Sequence, residues 1–242
     1  MTTLWIATAF VAAYLIGSLS FAVIVSRAMG LDDPRSYGSG NPGATNVLRS
    51  GSKKAAVLTL LLDAVKGLIP VLLERLFGER VGLGEGSAML VGLGAFLGHL
   101  WPVFFRFQGG KGVATAAGVL LGFEPLLGLG VLAIWILVAK TTKYSSLAAL
   151  IASGVAPLLH AIFWGGSSAT LAIFVMSLLL IWRHGSNIAK LINGTESRIG
   201  QKARPAAAGT PPAGAEPAAA PSAPANRAER RRSARQARRK TH

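Results

Sequence analysis

Three polar stretches of this 242-residue chain gather the side chains whose types and spacing suit chemistry. The first, GSGNPGATNVLR over residues 38–49, offers hydroxyl and amide groups from Ser39, Asn41, Thr45 and Asn46. It closes on Arg49, whose planar fork of donors suits phosphate. Gly38 and Gly40 allow backbone N–H groups to turn towards an anion. With Gly43 they also spell G-x-G-x-x-G, but a dinucleotide fingerprint needs a preceding strand in a βαβ unit, and a long apolar run precedes this one. In the second stretch, FQGGKGVAT, Gly109, Gly110 and Gly112 surround Lys111 ahead of a predicted helix, so N–H groups and a cation can converge on phosphate. It is not a Walker A loop: glycine follows Lys111, and Phe105 stands where the first glycine should be. In the third, RHGSNIAKLINGTE, His184 sits among polar groups as a general base or a phosphate donor. Asn187 follows three residues on, and Glu196 can orient a partner.

Two ionisable residues stand inside an apolar run, in LLDAVKGLIP. Asp63 and Lys66 are three apart, hence on one helical face, and lie roughly 12–17 Å into the run. Ionisable groups at such depth pair with each other and face a polar cavity. Both a structural ion pair and the floor of an anion site fit this spacing. The remaining histidines read as structural: His99 packs beside Trp101 and Pro102, and His160 lies near the outer end of a span. There is no cysteine, which excludes disulfides and thiolate chemistry.

The elements that must position these groups are membrane spans. Residues are 51% hydrophobic and 14% charged, and several apolar runs are long enough to cross a bilayer, which predicts an all-α polytopic membrane protein. The segments fall at about 4–29, 55–77, 86–105, 112–122, 125–140, 145–164 and 167–182. The run 112–122 is half the usual length, so it either crosses or re-enters. The first run is too long for a signal sequence and lacks basic residues ahead of it. Treating 112–122 as its own element, with the N-terminus outside, puts twelve Lys/Arg of the loops in the cytoplasm and leaves only Arg75 and Arg80 outside. Seven segments and a cytoplasmic C-terminus follow, and the three polar loops share one face. The net charge of +15 divides into +8 for residues 201–242 and +7 for the rest. That tail is Ala/Pro-rich and then basic, the composition of a disordered cytoplasmic segment attracted to anionic lipid.

Taken together, GSGNPGATNVLR, GGKGVAT, RHGSNIAKLINGTE and DAVKG make residues 1–200 resemble the PlsY family of membrane acyl-phosphate:glycerol-3-phosphate acyltransferases. The resemblance implies transfer of a fatty acyl group from acyl phosphate to the 1-hydroxyl of glycerol 3-phosphate. The products are lysophosphatidic acid and phosphate, at the first step of phospholipid synthesis. It implies no metal or cofactor, a bacterial inner-membrane location with the site on the cytoplasmic face, and a peripheral partner that makes the acyl phosphate. No nucleic acid is expected. The reading assigns Ser39, His184 and Asn187 to catalysis. It assigns Gly38, Gly40, Asn41, Thr45, Asn46, Arg49, Lys66, Gly109, Gly110, Lys111 and Gly112 to substrate and phosphate binding, with Asp63 and Glu196 in support. TKYSSL resembles a smaller family element, and Ser146 is favoured over Ser145 as the residue facing the site. Two mechanisms stay open. Ser39 attacks the donor with His184 as base, or the enzyme aligns both substrates and a substrate phosphate oxygen takes the proton, which is favoured. The rival from another class is a small transporter of a phosphorylated solute; access from both faces and an internal repeat are its marks, and no repeat is visible.

Overall fold

The computed structural model describes residues 2–201. The tail expected over 201–242 lies, from residue 202 on, outside the described residues. Within them every regular element is helical: α1 (Thr2–Gly17), α2 (Phe21–Ala28), a single turn α3 (Ala44–Val47), α4 (Lys53–Phe77), α5 (Glu85–Leu100), α6 (Val113–Phe123), α7 (Pro125–Thr142), α8 (Ser145–Trp164), α9 (Ser168–Arg183) and α10 (Gly185–Ile192). By length and composition five stretches suit a bilayer: Thr2–Ala28, Lys53–Val81, Gly86–Phe105, Pro125–Thr142 and Ser145–Trp164. A sixth combines α9 with α10, which turns away by 58°.

The apolar run at 4–29, expected as one helix, is broken between α1 and α2. Gly17 lies against α5 so closely that a Cβ there would collide with the Ala95 carbonyl. Ser18 Oγ turns back to Tyr14 O at 2.8 Å. The break leaves the Leu19 carbonyl without a helical donor, and Lys66 Nζ supplies one at 2.7 Å. A backbone carbonyl inside a bundle needs such a partner.

The half-length segment resolves differently from an ordinary span. Thr115 Oγ1, near the start of α6, donates to the backbone oxygen of Asp63 at 2.9 Å, while the guanidinium of Arg75 reaches Phe123 O at the end of α6. α6 therefore runs parallel to the second half of α4, over about 18 Å at the helical rise. Gly67 and Gly118 permit this: side chains there would meet the carbonyls of Thr115 and Ala64. Small residues let helix backbones approach where lipid provides no hydrophobic drive. Glu124 and Pro125 then reverse the chain, and Gly128 returns against Leu121. Eleven residues suffice because the loop before α6 is sunk into the bundle. It meets α4 beside Asp63, ten residues below Lys53.

The main core gathers Val71, Phe96, Leu100, Val119, Ile173 and Met176 from α4, α5, α6 and α9. A smaller cluster of Ala22, Val25, Val47, Ala55 and Ala56 seats the first polar loop on α2 and α4. The third polar stretch, RHGSNIAKLINGTE, expected as a loop, contains α10. Ser52 starts α4 as an N-cap, accepting from Ala55 N–H at 3.2 Å.

Candidate active site

Asn46 organises the first loop. Its side chain is buried and every polar atom is used: Nδ2 donates to Pro34 O at 2.6 Å and Tyr37 O at 3.2 Å, while Oδ1 accepts from Ser39 N–H at 3.0 Å and Arg49 Nη1 at 3.3 Å. Gly38, at φ 61°, passes over that oxygen where a side chain would collide with it. Asn46 thus presents Ser39 and Arg49 and has little left for a ligand. Arg49 also donates through Nη2 to Ser197 Oγ, 148 positions away. Ser39 Oγ receives only a long 3.5 Å bond from Asn41 N–H, and it makes no hydrogen bond to an imidazole or a carboxylate. Thr45 Oγ1 meets Ser145 Oγ at 3.3 Å.

The second loop is gripped along its backbone. Arg183 donates from Nη2 to Gly109 O at 2.8 Å and from Nε to Gly110 O at 3.1 Å. Gly110 N–H donates to His99 O at 3.1 Å. Gly112, at φ 84°, takes the left-handed turn into α6, whose first N–H groups have no helical acceptor. Lys111 is left pointing up the cavity, with Nζ donating to Asn187 Oδ1. Burial draws its ammonium down to about 8, with Lys190, Arg183 and Arg49 adding to the effect and Glu196 opposing it.

The third stretch closes the circle. Glu196 Oε1 accepts from Asn187 Nδ2 at 2.7 Å and from Ser146 Oγ at 2.9 Å, so Asn187 carries Lys111 on one side and the carboxylate on the other. His184 Nδ1 lies 2.8 Å from Leu180 O. A carbonyl can only accept, so Nδ1 bears the hydrogen, and in the neutral ring Nε2 is a bare acceptor.

These groups form the mouth of a cavity of about 580 Å³. Ser39, Thr45, Arg49, Lys111, His184, Asn187 and Glu196 line the mouth, and both Ser145 and Ser146 reach it. Its body is apolar, walled by Leu120, Val131, Trp135, Ala152, Ala156 and Ile173 from α6 to α9. Lys66 does not line it. Its ammonium is spent on Asp63 Oδ1 at 2.9 Å and on Leu19 O, so the role of phosphate ligand read from the sequence passes to a structural one. Gly38, Gly40, Gly109 and Gly110, also read from the sequence as phosphate-binding, do not line it either. His99 also departs from expectation: it faces the cavity beside Asp63, while the Trp101 ring lies 6.0 Å from that of Trp182, tilted by 37°. Its sequence signal is weak, a lone histidine at a helix end. Arg183, the brace of the second loop, was legible only as one more basic residue. Among the described residues no three His, Asp or Glu side chains converge on a metal position.

Residues 7–194 match the family described as glycerol-3-phosphate acyltransferase. The chain is 62% identical over 206 residues to the glycerol-3-phosphate acyltransferase of Paraburkholderia phytofirmans, covering 85% of this chain and 96% of that protein. It is 61% identical over 193 residues to that of Cupriavidus necator, covering 80% and 96%. Two crystal structures of PlsY (YgiH), an integral membrane glycerol 3-phosphate acyltransferase, superpose on it. The glycerol 3-phosphate form gives a TM-score of 0.75 at 37% identity, over 81% of this chain and 96% of that one. The lysophosphatidic acid form gives 0.73 at 37% identity, over 80% and 94%.

Proposed function

Because this chain belongs to the glycerol-3-phosphate acyltransferase family, we propose that it moves a fatty acyl group from an acyl phosphate to the 1-hydroxyl of glycerol 3-phosphate. The observation that carries this reading is the two-part cavity: a mouth with Arg49 and Lys111 opens directly into an apolar body. A substrate pair with two phosphates and one long hydrocarbon chain matches that division. Related crystal structures hold glycerol 3-phosphate in one form and lysophosphatidic acid in the other, an acceptor and its acylated product. The acyl donor is the one that the resemblance to the PlsY family implies, and its chemistry suits the site: an acyl phosphate is already an activated anhydride, so no coenzyme is required at the reacting carbon.

In the proposed step the glycerol 1-oxygen attacks the acyl carbonyl carbon, and the bond from that carbon to the phosphate oxygen breaks. The hydroxyl proton passes to a phosphate oxygen of a substrate, and phosphate leaves. The protein aligns the two substrates and stabilises the developing charge. Arg49 and Lys111 hold phosphate oxygens, Ser39 and Asn187 donate hydrogen bonds at the reacting groups, and His184 Nε2 positions the acceptor by accepting from the glycerol 2-hydroxyl, which leaves the 1-hydroxyl proton to the phosphate oxygen. The site opens on the cytoplasmic face of a bacterial inner membrane, where a peripheral enzyme supplies the donor. Purified protein given palmitoyl phosphate and glycerol 3-phosphate should release phosphate and form lysophosphatidic acid in equal amounts. Phosphate release without the lipid product would reject the transfer.

A further inference from the structure

We propose that His99 is a positioning residue of this enzyme: it moulds the Gly109–Gly112 loop and thereby sets where Lys111 stands in the cavity. The proposal rests on the acyl-transfer reading of the site.

The loop is shaped on this residue from two directions. His99 O accepts the Gly110 N–H at 3.1 Å. A side chain at Gly109 would collide with the carbonyls of His99 and Leu100, and one at Gly110 would collide with the imidazole Nε2. Gly110 is therefore required by the imidazole of His99, and Gly109 by the backbone at the end of α5. Arg183 holds the opposite, carbonyl side of the same two residues. Lys111 is the next residue along, so any tilt of the peptide at Gly110 is passed to its Cα.

The ring that forms this mould is itself locked. Thr115 Oγ1 gives its one hydrogen to Asp63 O at 2.9 Å. At 3.1 Å from His99 Nδ1 the same oxygen must therefore accept, and Nδ1 carries the hydrogen. Asp63 Oδ1 lies on that side too, 3.7 Å from Nδ1. Asp63 is held by Lys66 at 2.9 Å, and Lys66 by the Leu19 carbonyl freed at the α1–α2 break. The exposures of Asp63, Lys66 and His99 are 2%, 3% and 7%. The contact of Asp63 Oδ1 with Lys66 is an ion pair rather than an aligned hydrogen bond, and a buried ion pair this close is costly to open, which holds the two side chains in one arrangement. The network's output is the face that His99 turns to Gly110. That gives the buried pair Asp63–Lys66 a purpose even though Lys66 does not line the cavity.

A residue that acts through Lys111 must lose its influence when Lys111 is gone, whereas one that only packs the bundle must not. The test is a double-mutant cycle on the purified full chain, with His99→Ala, Lys111→Ala and the pair. His99→Ala should lower kcat/KM by roughly 10- to 100-fold, mainly through KM, as expected for a displaced charged phosphate contact. In the Lys111→Ala background it should cost less than about 2-fold, the coupling expected of residues sharing one network. Equal losses in both backgrounds would overturn the proposal. His99→Asn, whose amide keeps a donor towards Thr115, should recover part of the loss, and it carries the cycle should the alanine variant not fold. Failure of both variants to fold would also count against it, since His99 would then be needed for the bundle itself. The wild-type protein separates the two readings. Without turnover the acyl-transfer reading fails, whereas additive losses in an active enzyme remove only the role of His99.

Discussion

Ser39 separates direct transfer from an acyl-enzyme. An activated serine needs a base within hydrogen-bond reach, and here its hydroxyl meets only the Asn41 N–H. Ser39→Ala should therefore weaken transfer without abolishing it. Mixed with donor alone, the wild-type enzyme should give no burst of phosphate; a radiolabelled acyl chain recovered on Ser39 after denaturation would refute direct transfer. His184→Ala removes the acceptor Nε2 that positions the glycerol, and a hydrogen bond is worth about 0.5–1.5 kcal/mol, so kcat/KM should fall roughly 2- to 13-fold; a loss of 10²-fold or more in kcat would instead make His184 the base. Lys111 gives a pH signature. Its ammonium titrates at about 8, so it is charged below that pH and neutral above it. Free-enzyme affinity for phosphate, read as kcat/KM, should decline as pH rises through about 8. Lys111→Arg, which stays charged throughout, should flatten that limb. A decline unchanged in Lys111→Arg would assign it to another group.

At the scale of elements, the depth of the phosphate loop depends on how closely α6 lies on α4. That contact runs through Gly118, where a Cβ would strike the carbonyl of Ala64. Gly118→Ala forces two backbones apart, and overpacking of this sort costs about 1–3 kcal/mol. The thermal midpoint in detergent should drop, and substrate affinity should weaken as the loop moves. Gly154→Ala, on α8 with nothing near its Cβ, is the control and should melt at the wild-type temperature or slightly above. Equal midpoints for both variants would show that α4 and α6 do not rely on this approach.

For the molecule as a whole, the three polar stretches meet at one end of the bundle: Arg49 with Ser197, Thr45 with Ser145, Arg183 with Gly110. The basic residues cluster at that end, so it should face the cytoplasm. The chain has no cysteine, which makes labelling clean. Ser50→Cys, Gln108→Cys and Lys190→Cys, all exposed, should react with an impermeant thiol reagent only from the cytoplasmic side, and Gly166→Cys only from outside. Reaction of any of the first three from outside would reverse the topology. Among the described residues the cavity is lined from Ser39 to Ile199, and the matched family region ends at residue 194. A chain ending at Lys202 should accordingly keep most of its turnover in detergent, and loss of activity by the folded truncation would show that the tail serves the site.

Much of this protein was written locally. Apolar runs of bilayer length dictate helices because an unpaired backbone cannot sit in hydrocarbon. The three motif loops declare themselves by glycine, amide and basic residues packed into a dozen positions, chemistry that no span requires. The spacing of Asp63 and Lys66 likewise announced a pair. What the pair supports was not legible, because its partners come from elsewhere in the chain: Leu19 from the α1–α2 break, His99 from α5 and Thr115 from α6. The sequence also offered Asn46 as a substrate ligand, whereas folding spends its amide on Pro34, Tyr37, Ser39 and Arg49. Residue type states which hydrogen bonds a side chain can make. Only the tertiary arrangement decides which of them are already taken, because in a bundle interior a polar atom binds whatever partner the neighbouring helix brings within 3 Å.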